Sequence, residues 1–288
     1  MKNKKILIFG SSGFLGTHLV KSLFKKNEVI QFDTNPPNFK FDGTTFVQGS
    51  ILDKGLVLQS MKGVDIVYHF AALTDLDTVN DYPAPAIEIN IAGTSNILDA
   101  CIERKIERLI FSSSVYVYSK TGGVYKSTKQ ACELLIKDYD KMYDLNYTIL
   151  QLGSVYGPNS SQKNLITRFI IESMAKGEME HYGTGDEIRQ YIYIKDVIRA
   201  AIASISNKYN KQKVILVGRE SISISKLMDK LISLLGTDIK KIYKIKNYDI
   251  HYKSSPFDIE VDDAMYFDID SPINLDEGLS QTISSIQK

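Results

Sequence analysis

Short apolar runs and amphipathic stretches alternate along the first half of the chain. Ile6–Phe9, Glu28–Phe32, Thr45–Gln48, Val64–Phe70, Arg108–Ser112 and Tyr147–Leu152 read as strands. Gly13–Lys25, Lys54–Met61, Ala84–Glu103 and Tyr125–Tyr143, lying between them, read as helices. Ile6-Leu7-Ile8-Phe9 and Asp65-Ile66-Val67-Tyr68 are almost continuously apolar, as strands covered by helices on both faces must be. This alternation predicts an α/β fold built on a Rossmann-type doubly wound parallel sheet.

The regularity loosens after Gly153. Leu165–Lys176, Asp196–Ser204, Ser225–Leu235 and Ser280–Ile286 read as helices, Tyr191–Ile194 and Lys213–Val217 as extended segments, and Gly183-Thr184-Gly185 as a turn. No low-complexity linker and no internal repeat interrupts the pattern. The expected organisation is a Rossmann domain over residues 1–152, to which 190–217 returns, and a smaller C-terminal lobe over 153–288.

Composition changes this picture little. The 288 residues are 43% hydrophobic and 24% charged, ordinary for a soluble globular chain, and a formal net charge of +1 without a dense basic face argues against nucleic acid as a partner. Cys101 and Cys132 are too few for a disulfide framework and suggest reduced thiols. His18, His69, His181 and His251 are scattered and form no metal set, and His69 reads as a packed strand residue. The apolar run at Ile6–Phe9 is too short for a signal peptide, and no stretch reaches the length of a membrane span, so a cytoplasmic location is expected.

The chemistry begins at the first strand–helix junction. Gly10-Ser11-Ser12-Gly13-Phe14-Leu15-Gly16 places three glycines where a backbone must turn sharply and approach a pyrophosphate, with a helix N-terminus offering N–H groups to it. The spacing is Gly-x-x-Gly-x-x-Gly, which alone is also compatible with a plain tight turn. Asp33, at the end of the second strand, is placed to accept hydrogen bonds from adenosine ribose hydroxyls, and its charge disfavours a 2′-phosphate. The pair therefore points to NAD.

Tyr125 and Lys129 stand four residues apart near a helix start, on one face. A phenol titrates near ~10, so making it a base at neutral pH takes about 4 kcal/mol of preferential phenolate stabilisation. Lys129 and a cationic nicotinamide ring are the sources at hand. Ser114 closes the run Phe111-Ser112-Ser113-Ser114 at the carboxyl end of the fifth strand, where ligands bind in such sheets, and its hydroxyl suits sharing a proton with Tyr125.

With these residues in view, the chain resembles the extended short-chain dehydrogenases/reductases of the NAD-dependent epimerase/dehydratase family, which act on nucleotide sugars and include UDP-galactose 4-epimerase. The likeness extends to Tyr68-His69-Phe70-Ala71-Ala72, Asn90-Ile91-Ala92-Gly93-Thr94, Gly153-Ser154-Val155-Tyr156-Gly157-Pro158, Asn164-Leu165, Arg189-Gln190-Tyr191-Ile192-Tyr193-Ile194-Lys195-Asp196-Val197 and Asp276-Glu277-Gly278-Leu279. It implies a catalytic Ser114, Tyr125 and Lys129. It implies an NAD site formed by Gly10, Ser12, Gly13, Phe14, Leu15, Gly16, Asp33, Ser50, Ile51, Phe70, Ala71, Ala72, Asn90 and Ser112 with Tyr125 and Lys129. Thr74, Ser114, Ser154, Asn164 and Arg189 would face a UDP-, GDP- or dTDP-hexose, Arg189 clamping the diphosphate. A homodimer pairing through Ala84–Glu103 and Tyr125–Tyr143 is also implied.

Four departures from the family pattern matter. Ser50 replaces the aspartate that usually bonds the adenine amino group. Only ten residues separate Ser114 from Tyr125, which shortens a loop that usually walls the sugar site. Val115 and Tyr116 stand where dehydratases carry Asp-Glu, which points away from elimination of water. Tyr248–Pro256 holds no arginine where relatives place a second phosphate ligand, Lys253 being a weak substitute. The expected activity is a 4-epimerase working by transient oxidation at C4 of the hexose. The alternatives are a net C4 dehydrogenase or 4-keto-sugar reductase on the same scaffold, or a non-catalytic NAD-binding module.

Overall fold

A computed structural model describes residues 2–236, 238–244, 253 and 263–287. The first half comprises β1 (Lys5–Phe9), α1 (Phe14–Leu23), β2 (Glu28–Asp33), β3 (Thr44–Gln48), α2 (Lys54–Ser60), β4 (Ile66–His69), α3 (Leu76–Asp81), α4 (Pro83–Ile87), α5 (Gly93–Arg104), β5 (Arg108–Ser114), α6 (Gly123–Tyr143) and β6 (Tyr147–Leu152). The second half adds β7 (Ser154–Tyr156), α7 (Leu165–Lys176), β8 (Glu178–Tyr182), β9 (Ile188–Tyr193), α8 (Ile194–Ala203), β10 (Gln212–Leu216), β11 (Ser221–Ser223), α9 (Ile224–Leu235), β12 (Lys240–Lys244), β13 (Met265–Tyr266) and α10 (Leu275–Ile286).

The expected doubly wound sheet is present. Eight parallel strands run in the order β13-β10-β6-β5-β4-β1-β2-β3. Successive strand side chains point to opposite faces, so a fully covered strand feeds two cores. Ile6 and Ile8 pack with Leu19 and Val20 of α1 and Val197 and Ala201 of α8. Leu7 and Phe9 pack on the other face with Val57 of α2, Ile97 of α5 and Ile136 of α6. The four apolar side chains of β1, Ile6 to Phe9, are inaccessible to solvent, which at about 2 kcal/mol each makes this strand a main source of stability. The chain winds outward from β1 to β2 and β3, then returns beyond β1 to β4, β5 and β6. The direction of winding reverses between β1 and β4, and a crevice opens at the carboxyl ends there.

Two regions differ from the sequence reading. The single helix expected over Ala84–Glu103 is broken into α4, a π-helical turn at Glu88–Ala92 and α5. It is preceded by α3, which the sequence pattern did not announce; Asp75 caps α3 by accepting from the Thr78 N–H at 3.0 Å. In the second half β7, β8, β11, β12 and β13 went unread. They are short and partly exposed, and β12 pairs in parallel with β8 some sixty residues away, so neither period nor proximity announces them. β7, β9 and β11 form a small separate sheet, while β10 and β13 join the large one.

Among the described residues no helix is long and apolar enough to cross a membrane, and no cluster of three metal-binding side chains occurs. Cys101 and Cys132 are buried free thiols.

Candidate active site

The glycine loop sits at the crevice. Gly10 has φ +79°, and a Cβ there would lie 2.6 Å from the Ala71 nitrogen at the end of β4. A Cβ on Gly16 would fall 2.1 Å from the Gly10 carbonyl oxygen. Gly10 thus permits the turn, and Gly16 lets α1 lie against it. Gly13 is the N-cap of α1 and supplies no side-chain cap, so the first-turn N–H groups of Phe14 and Leu15 are presented by backbone alone. A phosphate could occupy that cradle only because these side chains are missing.

Asp33 faces this loop. Its carboxylate accepts from the Ser12 N–H at 3.0 Å and from the Asn35 N–H at 3.0 Å. It therefore ties the carboxyl end of β2 to the loop, at the place where ribose hydroxyls would be received. Ser50 and Ile51 follow β3. The Ser50 hydroxyl accepts from the Leu52 N–H, and Ile51 packs so tightly on Gly93 that a Cβ there would be 2.5 Å away. Phe70, Ala71 and Ala72 continue from β4 over the first glycine.

Asn90 sits beside the same crevice, in the broken helical stretch that follows β4. It is buried within the π-helical turn, its carbonyl oxygen accepting from the Leu73 N–H at 2.8 Å and its amide donating to the Leu73 carbonyl and to Thr128. These bonds tie it to the strand-end loop leading to Thr74. Thr74 itself is exposed beside that loop.

The reactive triplet lies where β5 meets α6. Ser112, Ser113 and Ser114 end β5, while Tyr125, Lys129 and Glu133 occupy one buried face of α6. The Lys129 ammonium donates to the Ser112 carbonyl at 2.8 Å and stands 4.7 Å over the Phe111 ring. Ser112 in turn donates through its hydroxyl to the His69 carbonyl. Burial pushes the Tyr125 phenol up to about 12, opposed by a hydrogen bond with the Ser114 hydroxyl. Burial also lowers Lys129 to about 8, opposed by the nearby Cys132 and Glu133. The protein alone thus keeps the phenol protonated, and more positive charge at its oxygen is what would convert it to a base.

The ten-residue connection is a 3-10 turn over Val115–Tyr118 followed by Gly122 and Gly123, both at positive φ. A Cβ at Gly122 would strike Tyr116, and one at Gly123 would strike Asn80. Asn80 also accepts from the Val124 N–H at 3.0 Å, and Tyr116 meets the Tyr125 ring edge-on at 6.2 Å. These four residues seat Tyr125 and were missed from sequence. The Gly-Gly pair carried a turn signal, but Asn80 lies on the unannounced α3.

The remaining expected substrate residues come from the smaller sheet. Ser154 opens β7 opposite Tyr191 of β9. Asn164 caps α7 and donates to the Val155 carbonyl at 2.8 Å, joining α7 to β7. Arg189 is buried in β9 and donates to the Ile188 carbonyl at 2.9 Å. Beside it the Glu187 carboxylate accepts from the N–H groups of Thr184 and Gly185 and pairs with His181 at 2.9 Å, fixing the glycine turn. His69 is a core residue, its Nε2 2.9 Å from the Thr94 hydroxyl and its pKa lowered to about 3, mainly by burial. Lys253 meets this region through its carbonyl, which accepts from the Ile188 N–H; the rest of Tyr248–Pro256, and His251 within it, lie outside the described residues.

A doubly wound sheet, a glycine-turned dinucleotide cradle and a serine–tyrosine–lysine cluster at the strand ends define a dinucleotide-dependent enzyme. The model of the NAD-dependent epimerase/dehydratase family matches residues 6–218, and the chain belongs to that family. By their names, the relatives and solved structures it resembles act on nucleotide sugars. A putative UDP-glucose 4-epimerase of Methanocaldococcus jannaschii is 29% identical over 260 residues, covering 83% of this chain and 85% of the relative. A trifunctional UDP-glucose 4,6-dehydratase/UDP-4-keto-6-deoxy-D-glucose 3,5-epimerase/UDP-4-keto-L-rhamnose-reductase of Arabidopsis thaliana is 30% identical over 233 residues. That match covers 68% of this chain, which spans about a third of the plant protein's length. Among solved structures, the UDP-N-acetylglucosamine 4-epimerase of Methanobrevibacter ruminantium M1, in complex with UDP-N-acetylmuramic acid, superposes with a TM-score of 0.87 at 26% identity, covering 100% and 99% of the two chains.

Proposed function

We propose that this chain is a nucleotide-sugar 4-epimerase. The observation that carries the reading is the stacking of Ser114, Tyr125 and Lys129 where β5 meets α6, at the carboxyl edge that also holds the glycine cradle. Gly10, Gly13 and Gly16 would hold the NAD pyrophosphate, and Asp33 the adenosine ribose. Bound NAD supplies reversible hydride acceptance. The Tyr125 oxygen takes the proton of the sugar C4 hydroxyl and later returns it. Ser114 holds that hydroxyl in line, and the Lys129 ammonium favours the phenolate. Arg189 grips the diphosphate, with Asn164 and Ser154 shaping the wall beside it and Thr74 at the rim.

The relatives support this class: one is a putative UDP-glucose 4-epimerase, and the archaeal structure is a UDP-N-acetylglucosamine 4-epimerase. Val115 and Tyr116, at the start of the 3-10 turn, supply no carboxylate for removing water, which favours epimerisation over dehydration. The brevity of the Ser114–Tyr125 connection favours one second reading. With less wall to retain it, a 4-keto sugar would leave, and the enzyme would act as a net C4 dehydrogenase or 4-keto-sugar reductase. Incubation of the purified protein with UDP-, GDP- and dTDP-hexoses separates the readings. A C4 epimer formed without net reduction of NAD supports the epimerase. Accumulated NADH with a keto sugar supports the dehydrogenase, and turnover of a keto sugar only with added NADH supports the reductase. No conversion of any sugar by NAD-loaded protein would leave only a binding module. We further propose that the protein is a homodimer joined through α4–α5 and α6.

A further inference from the structure

Glu133 is a buried carboxylate with no part in the chemistry above. It lies one helical turn beyond Lys129 on α6, as Lys129 lies one turn beyond Tyr125, so the three share a single stripe. Its oxygens accept from the Ser113 hydroxyl and from the Gln151 amide, at 3.0 and 3.2 Å, and the Gln151 carbonyl oxygen accepts from the Tyr118 hydroxyl at 2.8 Å. β5, β6 and the 3-10 turn after Ser114 all converge on this one group.

We propose that Glu133 is a positioning residue of the reactive centre, a buried counter-charge that keeps the Lys129 ammonium protonated and clamps the Ser112–Ser114 strand end against α6. The proposal rests on the reading of Tyr125 and Lys129 as the reactive pair. A lone ammonium in a low-dielectric site sheds its proton, and a neighbouring carboxylate opposes that loss. The groups facing Glu133 fit the role. From α6 they are Lys129, Lys137 and Cys132; from β10, Lys213; from the 3-10 turn, Tyr118; and from β6, Tyr147. Lys137 and Lys213 are themselves paired with Asp263, and among the described residues no carboxylate forms an ion pair with Lys129. Burial raises the Glu133 carboxyl, while Ser113, Gln151 and the two lysines hold it down. Burial lowers Lys129, and Cys132 and then Glu133 act against that. The hydrogen-bond clamp favours the ionised form, because every bond given to Glu133 is donated to it.

The test is the titration of Lys129, followed in protein with ε-13C-labelled lysine, its resonance assigned by loss in Lys129→Met. Wild type is expected to show a midpoint near about 8. Glu133→Gln, which keeps the shape and removes the charge, is expected to lower it by about one pH unit. Glu133→Asp keeps the charge and is expected to stay near wild type. Gln151→Met, which removes donors and not the carboxylate, shifts it in the same direction by less and serves should Glu133→Gln not fold. With a turned-over nucleotide hexose, the alkaline limb of kcat/KM follows the same order, a movement that loose packing alone would not produce. An unmoved Lys129 midpoint in folded Glu133→Gln or Gln151→Met overturns the inference. Undiminished activity in Lys129→Met overturns instead the reading on which it rests.

Discussion

Lys129 donates a 2.8 Å hydrogen bond from α6 to the carbonyl of Ser112 at the end of β5. This bond holds a buried ammonium one helical turn from the Tyr125 phenol, and the charge of that ammonium is the variable on which the site turns. Tyr125→Phe removes the proposed acid–base oxygen and is expected to lower kcat by about 10²–10⁴-fold while NAD binding persists. Ser114→Ala removes the hydrogen bond that counters burial of the phenol. Its expected effect is smaller, and it moves the acidic limb of the activity profile upward. A Tyr125→Phe variant with wild-type turnover would refute the assignment.

The sign of the Lys129 contribution to stability is opposite to its contribution to activity. Its folded pKa of about 8 lies below its ordinary 10.5 because burial disfavours the charge. Between those values the unfolded chain binds more protons, so the native state gains stability as pH rises through that window. Below about 8 the cost of burying the ammonium is paid in full. Urea unfolding across this range, wild type minus Lys129→Met, is expected to show a rise of up to about 3 kcal/mol. Activity falls across the same range. A difference curve without slope would show the ammonium to be solvated.

Gly16→Ala tests the cradle. The new methyl would lie 2.1 Å from the Gly10 carbonyl oxygen and 2.6 Å from the Ser11 Cα, both backbone atoms that cannot swing aside. Either α1 moves or the loop opens, at about 3 kcal/mol. Calorimetric NAD titration is expected to show affinity lost more steeply than thermal stability. Gly43→Ala is the control, since nothing lies within 4 Å of that site, although its φ of +81° leaves a small local strain.

Asp33→Ser bears on cofactor choice. It deletes the carboxylate that bonds the Ser12 N–H and that would meet the ribose. NAD affinity is expected to fall by about 10-fold or more, and the preference over NADP to narrow, because repulsion of a 2′-phosphate is gone. Equal loss for both cofactors in competition binding would place the ribose elsewhere.

Association is tested on α6. Leu134 and Met142 lie on one helical stripe and are 63% and 59% exposed, and Ile87 of α4 is 48% exposed. Such side chains on a surface helix suit a contact with a second copy. Leu134→Glu with Met142→Glu is expected to halve the mass seen by light scattering without loss of helical signal. A wild-type monomer at working concentration would end the dimer proposal.

How much of this was legible in sequence depended on how local the cause was. β1, β6 and α7 could be read almost to the residue, because continuous apolar runs and helical periods are properties of neighbouring positions. The glycine spacing, Asp33 at a strand end and Tyr125 four residues before Lys129 are local in the same sense. β8 and β12 were not legible, because each is a strand only by virtue of the other. The amphipathic period likewise could not show that Asn90 would turn its amide onto Leu73, since that follows from a π-helical turn beside a strand-end loop.

The sequence by itself determined the parallel sheet, the cradle and the stripe of α6 that carries the phenol and the ammonium. Only the tertiary structure decided what electrostatic surroundings that stripe would have. Burying Lys129 under Phe111 and closing Ser113 and Gln151 around Glu133 brings together groups 18 to 20 residues apart in the chain. Desolvation and charge pairing depend on distance and dielectric in space, and neither is written in the order of the residues.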